Sequence, residues 1–348
     1  MSIKKVTKSF IHQACVSLFN HLSPPLRAKI VRDGVDMSDL YSHLPPRLLI
    51  DLCMGSMPRL QNIKSVVITG ALGAFEGSPK DRVILPHYAR TGTWSPELHS
   101  LISNNIFQDG QGTFLDIGAN IGLTCVPVAS RHRVTCIAFE PDPTNFTFLK
   151  NNITRNGVND LIQPYNLALF DTATELEMEL SPDNLGDHRI RSSDVSPSAA
   201  DAFNESQRRV INIKAARLDD VLINYTLSSP VVAKLDVQGA ELHVLRGGTQ
   251  TLPHIDLLVL EFWPYGLARA GASTDELFEY FARFPLGAIL NFDRPHEIPF
   301  ATTLELNDIE SVIATLKGMS LHADHDFHVD IVLARESMLN VFPPRGKG

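Results

Sequence analysis

The sequence contains few cysteines, no long apolar run and no excess of positive charge. The four cysteines, Cys15, Cys53, Cys125 and Cys136, fall at no metal-ligand spacing and form no compact disulfide set, which favours a reducing, cytoplasmic setting. No apolar run approaches the length of a membrane-spanning helix, so stable membrane insertion is not expected. The formal net charge of -8 argues against a protein whose main task is to bind nucleic-acid phosphates.

The chain begins with a basic segment and an interrupted apolar stretch. Polar residues break the stretch and no small-residue cleavage site follows it, which disfavours a signal peptide. Apolar side chains at helical spacing predict an amphipathic docking helix; they are Phe10, Ala14, Leu18 and Leu22. Residues 1–82 are interpreted as an N-terminal extension, mainly helical, with a hairpin formed by Ser65–Thr69 and Asp81–Leu85.

An alternation of strands and helices starts at Thr113 and indicates an α/β fold. Strands separated by helices of about ten residues predict βαβ units and a parallel sheet. The predicted strands are Thr113–Ile117, Arg133–Phe139, Ile162–Leu169, Val231–Val237, Asp256–Phe262, Gly287–Phe292 and Phe327–Leu333. Two strands that interrupt this order, Glu175–Leu180 and Val210–Lys214, predict an inserted hairpin around a polar, serine-rich loop.

The turn after the first strand, DIGANIG at Asp116–Gly122, predicts a ligand site. Gly118 and Gly122 allow a sharp turn and a close approach of the backbone to a ligand. The G-x-x-x-G spacing differs from the dinucleotide fingerprint, and the Asp116 carboxylate would repel a pyrophosphate. It would attract the cationic amine of S-adenosylmethionine, so this cofactor is the predicted ligand.

Three further carboxylates lie at the ends of predicted strands. Glu140 follows the glycine-rich turn by about 20 residues, a distance at which a carboxylate can accept hydrogen bonds from ribose hydroxyls. Asp236 is predicted to act as a general base for a substrate hydroxyl, or to orient it. Glu261 ends the strand LLVLEF. Like charges at one edge of a sheet repel each other and lower stability. The carboxylates at this edge are therefore better explained by a cationic ligand or a functional role than by chance.

The histidines give weaker signals. His322, His325 and His328 precede the last strand in a polar segment, and an exposed loop is the better interpretation, so no metal is predicted. His188 and His243 flank predicted site segments, although His243 is equally compatible with an ordinary helix surface.

Several motifs, taken in order, resemble the FkbM family of S-adenosylmethionine-dependent methyltransferases. They are FLDIGANIG at Phe114–Gly122, AFEPDPTNFTFLKNNITRNG at Ala138–Gly157, AKLDVQGAELHVLRGG at Ala233–Gly248 and LVLEF at Leu258–Phe262. The resemblance implies a Rossmann-like class I methyltransferase core, with a mostly parallel seven-stranded sheet and a terminal antiparallel strand. It implies a methyltransferase domain over residues 83–340, with a recognisable core at 113–265 and the inserted hairpin at 171–218.

The resemblance also implies roles for individual residues. Cofactor contacts are expected from Asp116, Gly118, Asn120, Gly122, Glu140 and Asn145. Catalytic roles are expected for Asp236 and Glu241, with Glu261 as a third candidate, although Glu241 is also placed to stabilise a helix N-terminus. Asn184–Gly186 is expected to face the substrate. Gln238 departs from the family pattern, which usually has Glu; an amide neither titrates nor carries charge, so it cannot replace a proton acceptor or a metal ligand.

The predicted activity is S-adenosylmethionine-dependent methylation of a hydroxyl on a sugar, a glycan or a small natural product. One alternative is a methyltransferase for RNA or protein, which the acidic composition and the missing Asn/Asp-Pro-Pro-Tyr-like motif disfavour. The other is a non-catalytic cofactor-binding module, which only Gln238 favours. The expected partner is a small-molecule or carbohydrate acceptor; its identity and the oligomeric state stay open.

Overall fold

The computed structural model describes residues 63–103, 106–107, 110–191, 207–290, 304–321 and 324–342. The predicted docking helix, the serine-rich loop and His322 lie outside these residues. No helix in the described ranges is both long and apolar enough to cross a bilayer.

The first elements are a hairpin and two short helices. The hairpin pairs β1, Val66–Gly70, with β2, Gly73–Gly77, and it is followed by the helices α1, Ile84–Thr91, and α2, Pro96–Ser103. The prediction of a second hairpin strand over Asp81–Leu85 is wrong. The apolar run after Asp81 begins α1 instead, because the Asp81 carboxylate accepts backbone N–H groups at the start of that helix; the donors are Val83, Ile84 and Leu85.

Replacing Asp81 with alanine should therefore lower the free energy of unfolding by about 1–3 kcal/mol, since up to three N–H groups lose their acceptor in a buried position. Urea denaturation measures the change. Asp160→Ala is the control, because Asp160 is exposed. Equal stability of the two variants would contradict the role given to Asp81.

Within the described ranges, eight strands form the main sheet, and the predicted Rossmann-like α/β core is confirmed. The strands are β3, Thr113–Ile117; β4, Thr135–Phe139; β5, Ile162–Tyr165; β10, Val231–Leu235; β11, Leu257–Phe262; β12, Leu286–Leu290; β13, Asn307–Asp308; and β14, Val329–Ala334. Their order is β13-β12-β14-β11-β10-β3-β4-β5. The strands β5, β4, β3, β10 and β11 are mutually parallel, and β14 runs antiparallel to both of its neighbours, β11 and β12. The two-residue strand β13 is additional to the seven predicted.

Helices cover both faces of the sheet. They are α3, Cys125–His132; α4, Pro143–Arg155; α5, Leu218–Leu222; α6, Glu241–Gly247; α7, Pro264–Arg269; α8, Thr274–Phe281; and α9, Ile309–Ser320. Two buried apolar clusters lie on opposite faces, and neighbouring residues of β3 alternate between them: Phe114 belongs to one cluster, and Leu115 and Ile117 belong to the other.

The inserted segment forms a second sheet with the order β6-β9-β7-β8. These strands are Ala168–Leu169, Arg209–Ala216, Thr174–Leu180 and Arg189–Ile190, respectively. The predicted pairing of the two inserted strands is confirmed, because β7 and β9 are antiparallel from Thr174 to Leu180. The prediction of one strand over Ile162–Leu169 is wrong. The Asn166 side chain donates to the carbonyl oxygens of Glu140 and Pro141, and the chain passes there from the main sheet to the second one.

Two asparagines, one in α4 and one directly after it, bind the N-terminal hairpin to the core. Asn152 accepts a hydrogen bond from Glu76 N at 2.6 Å and donates to Glu76 O at 2.9 Å. Asn156 makes the same pair of bonds with the backbone of Ala74, at 3.0 and 2.9 Å. Each asparagine amide thus satisfies an unpaired backbone position of β2.

Candidate functional site

A cleft of about 780 Å³ opens where the parallel strands end, at their carboxyl edge. This is the edge at which open α/β sheets bind ligands. Six of the predicted site residues line it: Gly118, Asn120, Glu140, Asn145, Asp236 and Glu261. Three others, Asp116, Gly122 and Glu241, are not part of its wall.

The glycine-rich turn forms the floor of the cleft between β3 and α3. The backbone N–H groups of Gly118 and Ala119 both donate to Phe139 O, which joins the turn to the end of β4. Gly118 has a φ of +84°, and a Cβ at this position would lie 1.9 Å from Asp236 O. Only glycine fits so close to the neighbouring strand end, so the turn requires Gly118 for steric reasons as well as conformational ones.

Gly122 has a packing role. A Cβ there would lie 2.8 Å from Leu149 Cδ1, in the contact between the turn and α4. Its φ of +90° also favours glycine.

Glu140 lies at the end of β4, with only 5% of its surface exposed. Its carboxylate accepts the N–H groups of Asn120 at 2.9 Å and Asp142 at 2.8 Å, so it ties the glycine-rich turn to the start of α4. Burial outweighs these hydrogen bonds and raises the pKa of Glu140 to about 8.

This raised pKa predicts a pH dependence of stability. Between the ordinary pKa near 4.5 and the raised value near 8, the folded protein retains a proton that the unfolded chain has released. The free energy of unfolding should therefore fall as the pH rises through this range, by at most about 1.4 kcal/mol per pH unit for one group. Glu140→Gln should reduce the slope, as measured by urea denaturation at several pH values. The exposed Glu175→Gln is the control, and an unchanged slope in Glu140→Gln would contradict the prediction.

Asp116 lies behind the cleft and not on its surface. The side chain is fully buried, and Oδ2 accepts the N–H of Cys125 at 3.0 Å. Parallel pairing places Asp116 directly opposite Lys234, whose Nζ lies 3.6 Å from Asp116 Oδ1. Burial raises the pKa of Asp116, and the Lys234 charge opposes that shift. In this arrangement Asp116 positions Lys234 and the start of α3, and it does not reach the cleft.

Lys234 connects the two halves of the cleft. Its ammonium donates to Gly118 O at 2.9 Å and lies 3.3 Å from Asp236 Oδ2. Although burial lowers the pKa of Lys234, the charges of Asp236 and Asp116 outweigh it and raise that pKa overall. Lys234 is therefore a fixed positive charge between the glycine-rich turn and the end of β10.

Asp236 and Glu261 form a carboxylate pair where β10 and β11 end. Gln238 lies between them: its Nε2 is 2.9 Å from Asp236 Oδ1 and 3.2 Å from Glu261 Oε2. The Asp236 side chain is 42% exposed, whereas that of Asp116 is fully buried. Of these two aspartates, only Asp236 is accessible to a molecule in the cleft.

Glu241 lies beneath the carboxylate pair at the start of α6. Its Oε1 accepts the N–H groups of Val237 at 3.1 Å and Gly239 at 3.2 Å, which stabilises the turn between β10 and the helix. Burial raises the pKa of Glu241 to about 7. The side chain is fully buried, so its contacts are those of a turn-stabilising residue.

The inserted segment crosses the cleft between the two asparagines of the predicted cofactor site. Asn120 Nδ2 and Asn145 Nδ2 both donate to Leu185 O, at 2.8 and 2.9 Å. Leu185 and its neighbours Asn184 and Gly186 line the cleft, and the substrate-facing role expected for this motif stays a prediction. Both asparagine side chains therefore have structural hydrogen bonds to the insertion.

His188 and His243, which flank predicted site segments, have different surroundings. His243 is stacked on Phe170, with its ring nitrogens 2.7 Å from Asp171 Oδ2 and 3.0 Å from Ala270 O, so its polar atoms are satisfied away from the cleft. His188 lines the cleft and accepts the N–H of Ser181 at Nδ1. Burial lowers the pKa of His188, which leaves a proton on Nε2. This atom has no hydrogen-bond partner among the described residues, so it can donate to a ligand.

Other lining residues come from parts of the chain that no motif indicated. Trp263 follows β11, and the Arg189 guanidinium lies 4.5 Å from the centre of its ring. Asp326, His328 and Asp330 reach the cleft from the segment that leads into β14. His328 was noted in the sequence only as part of a histidine-rich loop, and the distance of all three residues along the sequence from the other site residues hid their place in the cleft. No group of three or more His, Cys, Asp or Glu side chains in the described ranges has an arrangement that could hold a metal ion.

Comparisons with known proteins relate the sequence to a family of methyltransferases. Residues 116–284 match the family described as the methyltransferase FkbM domain. The chain is 27% identical to the hexuronic acid methyltransferase AglP of Haloferax volcanii over 147 residues, which cover 42% of this chain and 54% of AglP. It is 28% identical to the 2-O-methyltransferase NoeI of Sinorhizobium fredii over 210 residues, which cover 58% of this chain and 79% of NoeI.

The match therefore spans about half the length of AglP and most of NoeI. The family match includes the glycine-rich turn, Glu140, the carboxylate pair and Gln238, whereas the hairpin β1–β2 and the strand β14 lie outside it. The predicted resemblance is confirmed, because residues 116–284 match the methyltransferase FkbM domain.

Proposed function

We propose that the protein is an S-adenosylmethionine-dependent O-methyltransferase that acts on a hydroxyl of a sugar or a small natural product. The observation that carries this proposal is the accessible Asp236 carboxylate, held at the end of β10 by Lys234 and Gln238. A carboxylate in this position can accept the proton that a hydroxyl must lose when it is methylated. The names of AglP and NoeI, a hexuronic acid methyltransferase and a 2-O-methyltransferase, support a sugar acceptor.

The residues at the other end of the cleft fit the cofactor. Gly118 lines the cleft at the glycine-rich turn, and the Glu140 carboxylate can accept hydrogen bonds from ribose hydroxyls. His188 Nε2 offers an unused donor in the same cleft. When bound, S-adenosylmethionine supplies an electrophilic methyl group on a sulfonium.

The chain's own residues then have two tasks. Asp236 accepts a proton from the acceptor hydroxyl at one carboxylate oxygen, while its other contacts keep the side chain in place. Lys234, pinned to Gly118 O and to Asp236, keeps the glycine-rich turn and the carboxylate in a fixed relation. No covalent intermediate on the protein is required, because alignment and proton removal are sufficient for methyl transfer to oxygen.

Two measurements on the full chain test the proposal. Calorimetric titration with S-adenosylmethionine should give saturable binding of one ligand per chain. Transfer of a radiolabelled methyl group should then occur to at least one member of a panel of neutral hexosides, hexuronic acids and amino sugars. Failure to bind would overturn the cofactor assignment. Binding with transfer only to RNA or protein would overturn the acceptor class, and binding without transfer to any acceptor would favour the non-catalytic module.

A further inference from the structure

Gln238 occupies a position where the fold brings two carboxylates within hydrogen-bond distance of one side chain. Asp236 Oδ1 lies 2.9 Å and Glu261 Oε2 lies 3.2 Å from its Nε2. The backbone of Gln238 has a φ of +55°, an uncommon conformation for a residue other than glycine. The residue is thus held at the turn by the fold, and its side chain bridges the ends of β10 and β11.

The chemistry of the neighbours determines the orientation of the Gln238 amide. An ionised carboxylate only accepts hydrogen bonds, and a protonated one still has an oxygen that can accept, so the amide nitrogen can donate to both of them. The nitrogen carries two hydrogens, and the geometry gives one to Asp236 and one to Glu261. Rotating the amide by 180° would place its oxygen against Asp236 and Glu261 and would remove the donor that Gln238 offers to each of them.

The surrounding charges make this bridge important. Burial, together with the charges of Asp236, Glu241 and Asp330, raises the pKa of Glu261 well above its usual value, and Lys234 opposes the shift. A carboxylate at position 238 would add a third acid to the pair, and the three could coexist only with an extra proton or a cation. The neutral amide of Gln238 supplies donors without adding charge.

We propose that Gln238 is a positioning residue, which holds Asp236 and Glu261 side by side so that Asp236 keeps one orientation toward the acceptor hydroxyl. The effect of Gln238 on catalysis rests on the proposed function, in which Asp236 accepts the proton of the acceptor hydroxyl. The bridge itself does not depend on the acceptor. Gln238 acts through Asp236 and need not touch the substrate.

The first experiment measures the bridge directly and needs no acceptor. In the uniformly ¹⁵N-labelled full chain, the side-chain NH₂ signals of Gln238 are assigned by their loss in Gln238→Met. Both hydrogens should be shifted downfield relative to those of the exposed Gln163, and Asp236→Asn and Glu261→Gln should each move one of them. Signals at ordinary positions, insensitive to both substitutions, would overturn the proposal.

The second experiment measures the consequence for activity, with the acceptor found on the panel. Gln238→Met keeps the length of the side chain but removes both donors, and kcat should fall about 10- to 100-fold. The dissociation constant for S-adenosylmethionine should stay within about threefold of the wild-type value, since the Gln238 amide donates to Asp236 and Glu261 and not to the glycine-rich turn. Gln163→Met is the matched control and should leave both values unchanged.

Gln238→Glu separates positioning from a merely structural role. The added negative charge disfavours ionisation of the neighbouring carboxyl groups, so the acidic limb of the pH–rate profile should move to higher pH by about one unit or more. Gln238→Met should lower the rate without such a shift. Equal rates and coincident pH profiles in all three forms would overturn the positioning role. If no acceptor on the panel is methylated, the proposed function fails, whereas the NMR result still decides whether the bridge exists.

Discussion

Replacing Gly118 with alanine should destabilise the protein by about 2–5 kcal/mol and abolish measurable binding of S-adenosylmethionine. Two costs add. The φ of +84° is unfavourable for any residue with a β-carbon, and the new methyl group would lie 1.9 Å from Asp236 O, closer than any real contact. Either the turn or the end of β10 must move, and both belong to the cleft.

Gly157→Ala provides a control that isolates the second cost. Gly157 also has a positive φ, +69°, but an added Cβ would have no atom within 4 Å. The free energy of unfolding of Gly157→Ala should fall by only about 1 kcal/mol, and this variant should keep its affinity for the cofactor. Urea denaturation and calorimetric titration measure both variants. Similar losses in the two would show that conformational strain alone accounts for Gly118, and the close approach of the two strand ends would then be wrong.

Asp236→Asn should lower kcat by about 10²- to 10⁴-fold, because an amide cannot take the proton from the acceptor hydroxyl. Folding should survive. Lys234 keeps its hydrogen bond to Gly118 O at 2.9 Å and its ion pair with the Asp116 carboxylate at 3.6 Å. The new amide oxygen can still accept the hydrogen bond from Gln238. The dissociation constant for S-adenosylmethionine should change by no more than a few-fold, since Lys234 keeps its hydrogen bond to Gly118 O and still holds the glycine-rich turn.

Asp160→Asn makes the same chemical change at an exposed site and should leave kcat unaffected. Initial rates of methyl transfer and calorimetric titration distinguish the two variants. A value of kcat within threefold of the wild type in Asp236→Asn would remove Asp236 from the chemistry. It would leave the acceptor proton to Glu261 or to solvent.

Much of the fold followed from local patterns. The strands Thr113–Ile117, Leu257–Phe262 and Val329–Ala334 are short apolar runs bounded by turn residues, and their positions agree with the prediction to within two residues. The inserted pair β7–β9 was recognisable by its alternation of polar and apolar residues. Such signals survive folding because the periodicity of a strand is a property of the segment itself.

Two predictions were wrong where a side chain redirected the backbone. The apolar residues after Asp81 have a strand-like composition, yet the Asp81 carboxylate begins a helix there. The segment Ile162–Leu169 contains one apolar pattern, yet Asn166 binds two carbonyl oxygens at the end of β4 and separates β5 from β6. In both cases the deciding hydrogen bonds involve backbone groups that composition does not identify.

The glycine-rich turn that indicated a methyltransferase was recognisable within a short segment of the sequence. Asp116, Gly118 and the later Glu140 are recognisable from sequence because a strand–turn–helix unit needs those residue types at that spacing. The family match over residues 116–284 includes this segment and confirms the predicted family. The sequence by itself therefore determined the class of fold, the family and the end of the sheet at which the cleft opens.

Tertiary structure decided which of these residues face the cleft. Parallel pairing sets Lys234 opposite Asp116, which buries that aspartate, while Asp236 at the end of β10 stays accessible. Gln238 gains its two partners only because β11 lies beside β10 and brings Glu261 to the same point. Burial and charge pairing depend on which strands are neighbours, and strand order comes from the packing of the whole sheet, so no local pattern could supply it.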